Sequence, residues 1–312
     1  MKRRTLTAAA LLGPSTLLPA TAQTNSSPIT VIVPFPPGDA LDATVRAMAA
    51  AVQLKVPVIT DNKPGASGFI AATAVQRSNN QATFLLGTTA MMAITPFAKK
   101  APYAPNDFIP VARIATISTM VAVPNSFPAR TWEEFVALAK KNPGKYSYAS
   151  PGEGTLLHMN MEALQKAVGI QLVHVPYKGM GPALQDFLGG RIDVYMEPGV
   201  ISHIKAGTAR GLVILSDTRL PDLPDVPTTR ELKVSVSQPG WFGIFAPKNQ
   251  PPGVARRLAT ALRSATESPE LKSKMPPGVQ AAFLDGNGLA KLIQTDQALF
   301  RKLITDLNIK LD

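Results

Sequence analysis

The chain contains no cysteine. Disulfides, thiolate metal sites and a cysteine nucleophile are therefore excluded, although the compartment is left open. Histidine is almost as scarce, with three in 312 residues. The nearest pair, His158 and His174, is separated by a helix and a loop and matches no ligand spacing, so no metal and no cofactor are expected. Long apolar runs are missing after the N-terminus. No later segment reaches the ~18 uninterrupted apolar residues that a spanning helix needs. Aromatics make up 6% of the chain, and no basic stripe is interleaved with them. The longest basic runs are pairs such as Lys99-Lys100, Lys140-Lys141 and Arg256-Arg257. A formal net charge of +11 therefore reads as a basic surface that speeds encounter with anions, not as a nucleic-acid face.

Hydrophobic residues make up 45% of the chain and charged residues 17%, which fits a globular protein. Its length suits two domains with sizeable cores. Lys2, Arg3 and Arg4 precede a short, largely apolar stretch, Thr5 to Leu18, and then Ala20-Thr21-Ala22. This pattern is a secretory signal peptide over residues 1–22, with cleavage expected after Ala22. Arg3-Arg4-Thr5-Leu6 also admits twin-arginine export. Removal of the basic n-region leaves a net charge of about +8.

Strand, turn and helix alternate along the rest, which implies parallel sheets with helices on both faces. The first series has a strand at Ile29–Pro34, a helix at Leu41–Val52, a strand at Val56–Thr60, a helix at Phe69–Ser78 and a strand at Thr83–Gly87. Phe108–Pro124 is long and β-rich and reads as a crossover. A second series runs from Thr131 to Leu215, and Val234–Pro247 reads as the second crossover. The tail reads as helical, at Pro252–Thr266, Ser268–Lys274 and Asn287–Leu307. Two lobes follow: residues 23–122 with 236–312, and residues 123–235. Ligands of such folds bind between the lobes, at the carboxyl ends of strands.

Two glycine-bearing turns fall at such strand ends. One is Val33-Pro34-Phe35-Pro36-Pro37-Gly38-Asp39-Ala40-Leu41-Asp42; the other is Tyr148-Ala149-Ser150-Pro151-Gly152-Glu153-Gly154-Thr155. Each leads into a helix whose first N–H groups are unpaired and carry partial positive charge. Glycine lets an anion approach those groups closely. Two such turns facing each other would grip a small carboxylate.

Ile32-Val33-Pro34-Phe35-Pro36-Pro37-Gly38, Asn62-Lys63-Pro64-Gly65-Ala66, Leu85-Leu86-Gly87-Thr88, His174-Val175-Pro176-Tyr177-Lys178-Gly179, Leu223-Pro224-Asp225-Val226-Pro227-Thr228 and Trp241-Phe242-Gly243 occur in that order. With them the chain resembles the receptors of tripartite tricarboxylate transporters, the Bug or TctC-type periplasmic proteins. The resemblance implies a type II periplasmic-binding-protein fold: two α/β lobes, two crossover strands and a ligand cleft between. It implies hinge closure on a small organic acid, delivery to a membrane permease or, in some members, to a sensor, and a monomer. It places ligand contacts at Phe35–Asp42, including Pro37 and Gly38, at Ser150–Thr155, including Gly152 and Gly154, at Thr88-Thr89, and at the acidic position filled by Glu197.

Several candidates carry two readings. Asp39 stands where relatives usually have a second glycine. It either caps the first helix, with Asp42 near the third helical position, or projects a carboxylate into the cleft, where it would repel a second ligand carboxylate or recruit an ammonium group, so that the expected acid is aromatic or amino-substituted as well as simple. His158 either contacts ligand or braces its turn. Lys178 either neutralises a carboxylate or is a solvated loop residue. Tyr195, Phe35 and Trp241 are cleft or core residues. Met91 and Met92 line an apolar side of the pocket or pack in the core. Ser150 with His158 suggests a nucleophile and base, but there is no G-x-S-x-G elbow and no third member. Catalysis is not expected.

Overall fold

The computed structural model describes residues 27–98, 101–236 and 239–306. The expected signal peptide lies outside these residues. Among them, no helix is long and apolar enough to cross a membrane.

The first lobe opens with β1 (Ile29–Val33), α1 (Ala40–Ala51), β2 (Val58–Asn62), α2 (Phe69–Gln76), β3 (Thr83–Thr88), α3 (Thr95–Ala98) and β4 (Phe108–Ile117). The second holds β5 (Thr119–Pro124), α4 (Trp132–Lys141), β6 (Ser147–Ser150), α5 (Leu156–Val168), β7 (Val173–Pro176), α6 (Met180–Leu188), α7 (Ile201–Lys205) and β8 (Ala209–Leu215). The chain then returns through β9 (Gly240–Pro247), α8 (Pro252–Glu267), α9 (Pro269–Lys274), β10 (Val279–Asp285) and α10 (Gly286–Asp306).

The six strands of the first lobe run β10-β4-β9-β3-β1-β2. β1 is parallel to both β2 and β3, as the βαβ alternation requires. The other pairings are antiparallel, which corrects the expectation of a purely parallel sheet. The reason is the double crossing: β4 leaves the lobe and β9 re-enters it, so they run in opposite senses. In the second lobe β6 and β7 are parallel, and β5 and β8 antiparallel. Val194 and Tyr195 link these pairs through bridges to Tyr148 and Ala122.

Two boundaries stand out. The change of sheet falls at Ser118, between β4 and β5, and residues 119–122, expected with the first lobe, pair with β8. The tail is not wholly helical: β10 pairs with β4 along the edge of the first sheet.

Each lobe has its own core. Val254, Leu258, Leu262 and Ala265, about one helical turn apart on α8, are buried against the first sheet with Leu41, Val45 and Met48 of α1. Trp132, Phe135 and Ala139 of α4 pack with Tyr148, Phe187 and Tyr195 in the second lobe. A small apolar cluster joins the lobes: Met159 of α5 meets Ile94 and Phe300 of α10. Beside it Lys166 Nζ lies 2.9 Å from Asp306 Oδ2.

Candidate ligand-binding site

A cavity of about 510 Å³ lies where the lobes meet. The first lobe contributes Phe35, Asp39, Thr88, Thr89 and Trp241; the second contributes Thr119, Thr155, Leu156, Lys178 and Glu197. A larger hollow of about 770 Å³ opens between α5, α10 and residues 229–236, and none of the expected site residues lines it.

The first turn is held by carboxylates. Gly38, at φ +86°, donates its N–H to Asp42 Oδ2 at 2.9 Å. Asp42 is buried and also accepts from Arg46 Nε (2.9 Å) and Asn62 Nδ2 (2.8 Å). Burial pushes its pKa upward, but the bonds from Arg46, Gly38 and Asn62 outweigh this and hold it below the usual carboxylate range. Asp39 caps α1, its Oδ1 accepting from Leu41 N at 2.8 Å. It also lines the cavity. Asp39 is therefore both the cap of α1 and part of the cavity lining. Burial raises its pKa against the lowering effect of the Leu41 bond, and the neighbouring charge of Asp42 raises it further. Pro37, Gly38 and Asp42 support the turn and are not among the lining residues.

The second turn is held by imidazoles. Gly154, at φ +69°, donates its N–H to His158 Nδ1 at 3.1 Å. The His158 ring stacks on His174, with centroids 4.2 Å apart, and His174 stacks on Tyr148. Burial pushes both imidazoles down to about 4, and for His174 repulsion from His158 adds to it. His158 thus braces the turn and does not line the cavity. Ser150 is fully buried, its Oγ 2.6 Å from His174 Nε2 and 3.0 Å from the Gly152 carbonyl. Ser150 and His158 do not pair: the serine's partner is His174, and neither member of that pair lines the cavity. Gly152 donates to Ser150 Oγ and accepts from Thr155 Oγ1. Ser150, Gly152 and Gly154 are thus the frame behind the site.

This frame leaves the start of α5 open. Thr155 caps the helix by accepting from His158 N. The N–H groups of Leu156 and Leu157, both cavity-lining, have no acceptor among the described residues. The start of α6 faces the same space through Gly179, Met180, Gly181 and Pro182, with no side-chain cap. Lys178 precedes it, exposed at the rim. Two helix starts and one ammonium make this side attractive to an anion.

Three threonines complete the lining. Thr88 Oγ1 accepts from Met91 N, Thr89 Oγ1 from Trp241 N and Thr119 Oγ1 from Asn160 Nδ2. All three are more than nine-tenths buried, and among the described residues none of their hydroxyls donates to a protein acceptor. Each hydroxyl has a proton to offer. Thr119 and the α6 start were missed in the sequence. The signal for the α6 start was present in Lys178-Gly179-Met180-Gly181, a glycine-flanked helix opening like the two turns.

Glu197 faces the cavity at the end of the short Val194–Tyr195 bridge segment. Tyr195 lies behind it. Its Oη is 2.9 Å from Glu197 Oε2 and 3.1 Å from the Met180 carbonyl oxygen. The single phenol proton is shared between these two acceptors. Burial raises the Glu197 pKa against the lowering bond from Tyr195, and the charge of Asp39 raises it further. Met91 and Met92, expected as alternatives to line the pocket, are core: Met91 fills the space over Gly68 and Met92 packs at Gly87 beside Phe245. Trp241 lines the cavity while its Nε1 donates to buried Asp296 at 2.7 Å.

The model of the tripartite tricarboxylate transporter family receptor matches residues 43–309. This chain belongs to that family. A protein encoded in the tcbD-tcbE intergenic region of Pseudomonas sp. (strain P51) is 32% identical over 296 residues, covering 91% of this chain and 87% of that protein. A solved structure described as a periplasmic transporter superposes with a TM-score of 0.83 at 35% identity, covering 93% of this chain and all of the other. Rpa4515 of R. palustris, solved with adipate, gives a TM-score of 0.82 at 26% identity over 90% of this chain and 97% of its own. The family is one of periplasmic solute-binding receptors, and the two-lobed fold is theirs. The family match begins one residue after Asp42, so the turn that carries Asp39 stands outside it.

Proposed function

We propose that this protein is a periplasmic receptor that captures a small organic carboxylate between its lobes and delivers it to a membrane permease of the tripartite tricarboxylate type. The observation that carries the reading is the second-lobe side of the cavity. There the unpaired N–H groups of Leu156 and Leu157, the α6 start and Lys178 converge, with the hydroxyls of Thr88, Thr89 and Thr119 nearby. A carboxylate docked on them replaces its water shell with fixed donors. Closure of the lobes would bury it and create the surface that the permease meets. The adipate carried by one structural neighbour supports a carboxylate as the ligand class. Residues 1–22 would direct export and be removed after Ala22.

The protein binds and releases its ligand unchanged in this reading. Ser150, the one nucleophile candidate, has its Oγ engaged by His174 and Gly152 away from the cavity. The test is a thermal-shift screen of refolded protein against aliphatic, aromatic and amino-bearing acids. A ligand at a hundred times its Kd adds about 2.7 kcal/mol, a rise of several degrees. Lys178→Met should weaken the best acid about tenfold, or about 1.4 kcal/mol. Absence of any acid hit from a folded sample, or chemical turnover of a bound acid, would defeat the reading.

A further inference from the structure

The cavity lining mixes two kinds of group: donors suited to an anion, and two carboxylates, one from each lobe. Asp39 comes from the start of α1 and Glu197 from the segment after Tyr195. Neither has a cationic partner among the described residues: Arg46 is spent on Asp42, and the remaining ion pairs lie elsewhere. Each uses one oxygen, Asp39 Oδ1 toward Leu41 N and Glu197 Oε2 toward Tyr195. The second oxygen of each has no hydrogen-bond partner among the described residues.

We infer that the site takes a carboxylate that also carries an amine, its ammonium seated between Asp39 and Glu197 and its carboxylate on the donors of α5, α6 and the threonines. The inference rests on the receptor reading of the same cavity. Its independent support is the threonine set: three hydroxyls, each more than nine-tenths buried, each with an unspent proton, in the cavity that holds the unspent acid oxygens. Unspent donors and unspent acceptors in one cavity are complementary to a molecule with both charges. A second ligand carboxylate placed against Asp39 and Glu197 would instead meet like charge. The ammonium has a further effect. It neutralises a repulsion that acts across the cleft, so it favours the closed arrangement over the open one.

Matched probes test this. Refolded full-length protein is titrated calorimetrically with succinate against 4-aminobutanoate, adipate against 6-aminohexanoate, and butanoate against 2-aminobutanoate. The amino-bearing probe should bind at least tenfold more tightly than its counterpart in one or more pairs. Asp39→Asn should shrink that ratio at least fivefold, and because asparagine caps helices as well as aspartate does, the variant should stay folded. Glu197→Gln should shrink it as well. Equal or tighter binding of the plain acids in every pair, or a ratio that survives Asp39→Asn, overturns the ammonium seat and leaves the receptor reading standing. Binding confined to acids without an amine overturns it equally. Failure of every acid, here and in the wider thermal screen, would overturn both.

Discussion

The two glycine turns are built alike and charged in opposite ways. Each places a left-handed glycine just before a helix, Gly38 before α1 and Gly154 before α5. In each, the glycine N–H is caught by a side chain four residues further on. In the first turn the catcher is a carboxylate, Asp42, and a second carboxylate, Asp39, caps the helix. In the second the catcher is a neutral imidazole, His158, and the cap is a hydroxyl, Thr155. The partial positive charge at the start of α1 is therefore met within the protein, while that at the start of α5 is left for something else. One backbone device is thus braced by two chemistries, a carboxylate in the first turn and an imidazole in the second.

The largest effects should come from removing the braces. Asp42→Ala deprives Gly38, Arg46 and Asn62 of their shared acceptor and should cost about 2–3 kcal/mol, on the scale of a lost charged hydrogen bond. His158→Ala strands one buried N–H and should cost about 1–3 kcal/mol. Urea unfolding of the two variants measures both. A smaller loss for Asp42→Ala than for His158→Ala would break the view that charge holds the first turn.

The pH response should separate the turns next. His158 and His174 sit near 4 in the fold, against about 6.5 when unfolded. The unfolded chain then binds more protons across that window, so their contribution to stability is full above pH 6.5 and is lost as pH falls toward 4. The carboxyls of Asp39 and Glu197 are raised, so their sign is reversed. They favour the fold below the ordinary carboxylate range, and that contribution is lost as pH rises through their raised values. Urea midpoints between pH 7 and pH 4 should fall with acid. His174→Gln should flatten the fall and Asp39→Asn should steepen it. An unchanged slope in His174→Gln would remove the imidazole braces as its source.

The smallest effect is at the cap itself. Asp39→Asn should change stability at pH 7 by less than about 0.5 kcal/mol, since the two residues rank together at this position. A loss above about 1 kcal/mol would mean that the charge on Asp39 matters to the fold and not only to the cavity.

Much of this was legible in the sequence because it is local. Apolar spacing placed α1, α5 and α8, and the glycine turns marked the strand ends. The βαβ alternation suggested a parallel sheet, but the sense of β4 and β9 depends on a double crossing that only the whole topology contains. β10 escaped notice for a related reason. Val279–Asp285 is half-buried and lies at a sheet edge, and β4, its partner, is more than 150 residues away. At the site, residues on the turns were found, but their division into lining and frame was not. His158 and His174 are 16 residues apart in sequence and become neighbours only because β6 and β7 pair in parallel. The methionines read equally as pocket or core, because nothing in Met91-Met92 says that Gly68 and Gly87 leave gaps for them. Thr119 was silent because a lone threonine beginning a strand looks like every other.

Helix α5 does two things at once. Its first turn faces the cavity, and Met159, one turn later, lies against Phe300 of the opposite lobe. Thirteen residues long, it is a rod of about 20 Å, and Lys166 near its far end is tied to Asp306. A rocking of the second lobe that moves α5 against α10 would slide Met159 across Phe300 and strain the Lys166–Asp306 tie. Under the proposed receptor role the back of the molecule would then feel the occupant of the front, and a substitution at Phe300, which does not line the cavity, would alter how tightly the cleft holds its ligand.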